Sequence, residues 1–169
     1  SVPNMVFAHI TIRGFGDALH DKYNYLSSRH EYFVYSGGKP VGGTFKSIKV
    51  GENNDGDSGN MNTDFGSLLD AEYQFLNSAK ECGTIGFFFG HDHKNNFAIN
   101  YKGVQLSYSY SIDYLAYIGI AKEGAQRGCT VIDIRPDGSF SSHLENYYQD
   151  KYISLYEKEQ VTMQEVTYG

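Results

Sequence analysis

The stretch that most constrains this chain is Gly83-Thr-Ile-Gly-Phe-Phe-Phe-Gly-His-Asp-His93. Residues 84–89 are short, almost wholly apolar and bounded by glycine, the pattern of a strand buried on both faces. His91 and His93 follow Gly90 at once. Open α/β sheets place their ligands at the carboxyl ends of such strands. Two imidazoles spaced i, i+2 there are candidate metal ligands, because neutral imidazole suits zinc and similar ions.

A second apolar run, Asn4-Met-Val-Phe-Ala-His-Ile10, reads as another buried strand with His9 near its carboxyl end. Between the two runs, the spacing predicts a short helix from Asp17 to Ser28 and a longer one over residues 64–81. In the longer one, Leu68, Leu69, Glu72, Phe75, Leu76 and Ala79 fall at i, i+3, i+4, i+7. Asp64 is its expected cap and Gly83 its expected stop. Strand, helix, strand implies parallel pairing with a right-handed crossover. That pairing would gather His9, His91 and His93 on one rim.

After the histidines, Phe97, Ile99 and Tyr101, and then Val104, Leu106, Tyr108 and Tyr110, alternate around Lys102-Gly103. This predicts a hairpin with one buried face. A further pair is expected at 129–135 and 139–144, joined by Pro136-Asp-Gly138. Residues 36–63 read as a long loop dense in turn formers, of the functional or mobile kind. Asp55-Gly-Asp57 lacks the terminal Glu of a calcium loop and reads as solvated. The fold class is α/β of the α+β sandwich type, with a mixed sheet built as β-α-β followed by antiparallel hairpins. Residues 1–148 are the domain and 149–169 a tail.

The 15 tyrosines and 11 phenylalanines, with no tryptophan, demand an aromatic core. A net charge of −6 and the lack of any Lys/Arg run argue against a nucleic-acid surface. No apolar stretch nears the length of a membrane span. Cys82 and Cys129 fit no zinc-ribbon spacing and read as two buried thiols, with a single bridge between them as the alternative. His20, His30 and His143 read as surface groups or as outer supports of the site. The chain starts without Met and runs straight into a strand, as expected of a processed piece or a fragment.

Gly90-His-Asp-His93, continued by Lys94-Asn-Asn-Phe97 and an aromatic hairpin, resembles the closing motif of the calcineurin-like metallophosphoesterases. It is most similar to their purple-acid-phosphatase-like branch. Val6-Phe-Ala-His-Ile10 resembles that family's single-histidine segment, with Thr11 where relatives carry proline. Gly128-Cys-Thr-Val-Ile-Asp-Ile134 resembles its late strand. The resemblance implies the C-terminal half of a four-layer αββα fold. It also implies phosphate-ester hydrolysis at two metal ions (Fe, Zn or Mn), with His9 and His91 on one ion and His93 on the other. Asp92 and Asn95 would orient the ligands. The family's D-x-H and G-N-H-D/E motifs do not occur here. A second chain carrying the N-terminal half is therefore the expected partner, and the isolated chain is expected to be inactive. The alternative is a non-catalytic structural or binding subunit of the same descent. Many relatives are secreted or vacuolar, which leans the expected location that way.

Overall fold

The computed structural model describes residues 1–23, 48–49, 57–61, 74–112 and 128–146. Its centre is a mixed four-stranded sheet of β1 (Asn4–Ala8), β4 (Thr84–Phe89), β5 (Ala98–Tyr101) and β6 (Val104–Tyr108), in the order β1-β4-β6-β5. β1 and β6 each run parallel to β4, and β5 closes an antiparallel hairpin with β6. Two further strands, β7 (Gly128–Ile134) and β8 (Phe140–Asn146), form a separate antiparallel hairpin. The described helices are α1 (Arg13–Tyr23) and α2 (Phe75–Glu81). The class is thus α+β, with one mixed sheet and one long two-stranded ribbon.

Register explains why one face of the sheet is apolar and largely buried. Val6 pairs with Phe87, Phe87 with Leu106 and Leu106 with Ile99, so one apolar row crosses all four strands. Ala8, Phe89 and Tyr108 form the next row. Side chains two apart share a face, which is how alternate residues of every strand reach this layer. α1 seals it with Phe15, Ala18 and Leu19, joined by Ile12 just before the helix. The Phe15 ring lies 5.0 Å from Phe97, 5.3 Å from Tyr108 and 5.8 Å from Phe89. These are offset and tilted contacts of the favourable kind, each contributing about 0.5–1.5 kcal/mol beyond area burial.

The opposite face is more polar and carries the β7–β8 hairpin. Phe88 stacks on Phe7 at 5.3 Å and meets Phe140 edge-on at 5.9 Å. Gln105 Nε2 donates to Ser107 Oγ (2.8 Å) and to Ser142 Oγ of β8 (2.5 Å). Gly86 makes room for the hairpin: a Cβ there would stand 2.7 Å from Phe140 Cζ.

Several expectations shift. β1 ends at Ala8, leaving His9 just past the strand. α1 begins at Arg13 rather than Asp17, despite Gly14 and Gly16, because Phe15, Ala18 and Leu19 make its buried stripe. Gly14 also lets α2 approach, with its Cβ position 2.9 Å from Leu76 Cδ2. The end of α2 falls where Gly83 predicts it. The Gly83 amide donates to the Lys80 carbonyl (2.8 Å), with Gly83 at φ +95°. Its expected start, including Asp64, lies outside the described residues. So do the loop at 36–47 and the 149–169 tail. The supposed long loop contains a short antiparallel ladder, β2 (Ile48–Lys49) with β3 (Asn60–Met61), and Met61 is in the core. Cys82 is exposed rather than buried, and no disulfide joins it to Cys129.

The clearest correction concerns Asp57, which is not solvated. Its side chain is wholly buried and sits 2.5 Å from Lys22 Nζ. It accepts from the Tyr23 hydroxyl (2.6 Å) and from the Asn100 amide (2.8 Å). This carboxylate ties the end of α1 to β5. A buried carboxylate is tolerable only when paired and hydrogen-bonded in this way.

The packing makes two substitutions informative. Gly→Ala on an exposed helix stabilises by about 1 kcal/mol, but Gly14→Ala is expected to destabilise by about 1–2 kcal/mol through overpacking on Leu76. Asp57→Ala strips Lys22 and the Asn100 amide of a buried partner and should cost about 3 kcal/mol, against under 1 for an exposed pair. Urea denaturation of each variant measures both.

Candidate functional site

The carboxyl ends of β1 and β4 form one rim, because the two strands run parallel and Ala8 lies opposite Phe89. Beyond the last pair, the Gly90 amide donates to the His9 carbonyl at 3.1 Å. The two chains therefore leave the sheet still in register. His91 then takes a positive φ of 65°, a left-handed conformation that costs a non-glycine residue about 1 kcal/mol or more. Histidine, with Asn and Asp, visits it more readily than most.

This turn brings the His91 ring against the His9 ring. His91 Nδ1 lies 3.2 Å from His9 Nε2, with ring centroids 5.0 Å apart and planes at 79°. Two nitrogens bound to one tetrahedral zinc at 2.0–2.1 Å stand about 3.3–3.4 Å apart. The pair thus already has the separation of two ligands on one ion. A proton shared between the rings fits the same distance. His93 lies two residues on and is half-buried. Among the described residues, no group of three or more His, Cys, Asp or Glu side chains converges tightly enough to hold a metal. The structure thus brings His9 and His91 together at the rim.

Asp92 faces inward. It is 7% exposed and accepts a short hydrogen bond from the Tyr108 hydroxyl at the carboxyl end of β6. Thr11 Oγ1 lies 3.4 Å from the same hydroxyl. Asn95, fully buried, is also among its hydrogen-bond partners, and the Asn95 amide donates to the Asp92 carbonyl at 2.9 Å. Asp92 and Asn95 thus brace the turn from beneath. Sequence reasoning does not single out Tyr108 or Thr11 as site residues. The usable signal is the alternation of Val104, Leu106 and Tyr108, which puts a phenol on the dry face at the end of the strand beside β4. A buried phenol there needs a polar partner.

Of the other histidines, His20 is exposed beside Asp21 (3.1 Å) and His143 beside Glu145 (3.2 Å). Both stand at the surface as expected, and His30 lies outside the described residues. Comparison of the chain with protein-family models, with curated proteins and with solved structures returns no match.

Burial raises the Tyr108 pKa well above 10.0, and the charge of Asp92 adds to the rise. The folded state therefore holds this proton more tightly than the unfolded state. The stabilising contribution is complete below pH 10 and is lost as pH climbs beyond it. Stability should fall above about pH 10, and Tyr108→Phe should flatten that part of the fall. Urea midpoints across pH 8–11.5 for both proteins provide the check.

Proposed function

We propose that this chain supplies one half of a metal-dependent phosphoesterase, contributing histidine ligands to a site completed by another chain. The observation that carries the proposal is the His9–His91 pair, two imidazole nitrogens 3.2 Å apart where two parallel strands end. The resemblance of Gly90-His-Asp-His93 to the metallophosphoesterase motif points the same way. His9 and His91 would hold one ion through Nε2 and Nδ1. His93 would serve the second ion once the partner's ligands draw the rim together. Such ions, whether Fe, Zn or Mn, supply Lewis-acid polarisation of the phosphoryl group and activation of water.

What this chain's own residues do is narrower. They fix two imidazoles at a sheet end, and they engage the adjacent carboxylate, Asp92, with the Tyr108 hydroxyl. Two neutral imidazoles leave the charge of an ion uncompensated, so carboxylates must come from elsewhere. The second chain answers that need, and the surface supports it. The outer edge of β1 pairs with no strand among the described residues. Phe7 beside it is 67% exposed and Ile134 is 70% exposed. They line a surface cavity of about 400 Å³ together with Met5, Ile85 and Ile132. An exposed edge and apolar patch of this kind call for a cover. On this reading the mixed sheet and its helical layer are half of a four-layer αββα sandwich. No helix among the described residues is long and apolar enough to cross a membrane.

The second reading is a non-catalytic subunit. It is favoured by the engagement of Asp92 with Tyr108 and by the hydrogen-bonding distance within the histidine pair. One experiment separates the two. The native assembly containing this chain is loaded with Mn²⁺, Zn²⁺ or Fe³⁺ and offered p-nitrophenyl phosphate and its bis-ester. Hydrolysis is expected, and His9→Ala with His91→Ala should cut it by more than about 100-fold, the upper end of what loss of a mere supporting group costs. Equal rates in the double variant, or no hydrolysis with any of the three metals, would leave the subunit reading in place.

A further inference from the structure

The turn that carries His91 and His93 is held from the core, and we infer that Tyr108 is the positioning residue that sets the His9–His91 geometry, acting through Asp92. Three observations carry this. First, His91 sits at φ +65°, so the local backbone does not favour the arrangement by itself and something must hold it. Second, the residue next to it is clamped. Asp92 accepts the Tyr108 hydroxyl, its amide donates to the Gly90 carbonyl at 2.8 Å, and its carbonyl accepts the Asn95 amide at 2.9 Å. Third, the anchor is immobile. Tyr108 is 1% exposed, packed by Phe15 and Phe97 at 5.3 Å each, and fixed in β6 opposite Phe89.

The geometry converts this clamp into ring placement. The Asp92 amide bond to the Gly90 carbonyl closes a tight three-residue turn with His91 at its centre, so fixing Asp92 in the core fixes the orientation of His91 at the apex. Its ring then meets that of His9, which leaves the neighbouring parallel strand. Without the phenol, the Asp92 carboxylate would lie buried without its short hydrogen bond. It would rotate toward water, taking His91 with it. The hydroxyl is thus a device for aiming an imidazole from below the rim. Outer partners of metal-binding groups act in this manner in general.

The metal arm of the test rests on the proposed function, while the ring arm does not. In the full chain without metal, a nuclear Overhauser cross-peak between the His9 and His91 rings is expected in the wild type. The cross-peak should vanish in Tyr108→Phe and persist in Asp92→Asn, whose amide oxygen still accepts the phenol. Val104→Ala, a core truncation in the same strand, should keep it despite a lower stability. In parallel, Zn²⁺ titration should show a Kd weakened about 10- to 100-fold in Tyr108→Phe, against a change of under about threefold in Asp92→Asn and Val104→Ala. A cross-peak that survives Tyr108→Phe overturns the inference, as does one that vanishes equally in Val104→Ala. If the wild type binds no Zn²⁺, or His9→Ala with His91→Ala binds it as well as the wild type, the metal reading fails. The cross-peak then still decides the role of Tyr108.

Discussion

The parallel pairing of β1 with β4 is the constraint on which everything else hangs. It joins residues some 80 positions apart, with Asn4 opposite Thr84 and Ala8 opposite Phe89. A parallel pair cannot be closed by a turn and needs a long crossover. The intervening chain supplies it, including α1 and α2. Direction matters as much as proximity. Only a parallel pair sends both chains off the sheet at the same end, so only this pairing can set His9 beside His91. An antiparallel arrangement of the same two strands would place the rings at opposite ends of the sheet.

The ladder survives because each residue of β4 has work on its own face. Phe87 and Phe89 complete the rows that α1 covers, and Phe88 packs between Phe7 and Phe140 on the other side. A strand sandwiched in this way cannot slip by one residue without exchanging its two faces. Gly86 would then no longer stand beneath Phe140. The register that builds the core therefore also fixes, to the residue, where the chain leaves the sheet. The position of the histidines is inherited from packing rather than from the turn alone. Asp57 plays the matching part at the far edge of the same layer, where Lys22, Tyr23 and Asn100 bind it.

Much of this is legible in the residues because it follows from periodicity. Continuous apolar runs with glycine at their borders mark β1 and β4. Strict alternation around Lys102-Gly103 marks β5 and β6. The positive φ of both Lys102 (50°) and Gly103 (79°) is what a tight hairpin turn demands. Pro136-Asp-Gly138 marks the turn between β7 and β8 in the same way. What escapes is the chemistry that joins distant segments. Asp57 sits in a run of Gly, Asn and Asp residues that every local rule reads as solvated. Its burial depends on Lys22 and Asn100, which no local rule can bring to it. Tyr108 and Asp92 are likewise ordinary in sequence, and their contact exists only because β6 lies beside β4. The start of α1 is hidden for a related reason. Gly14 weakens a helix locally, yet it is the residue against which Leu76 packs.

On the proposed reading the residues of the rim divide the labour. A buried carboxylate beside a candidate ligand can compensate charge or hold the backbone. Asp92 does the second, since its oxygen is committed to the phenol of Tyr108. That contact anchors the turn to the core. On the proposed reading, imidazoles alone would hold a divalent ion weakly, and tight binding would await anionic oxygens from another chain. The outer edge of β1, which pairs with no strand among the described residues and has the exposed Phe7 beside it, lies next to the strand end that carries His9. A partner strand docking there would bring its own residues to the same rim by the same parallel logic that placed His91 beside His9.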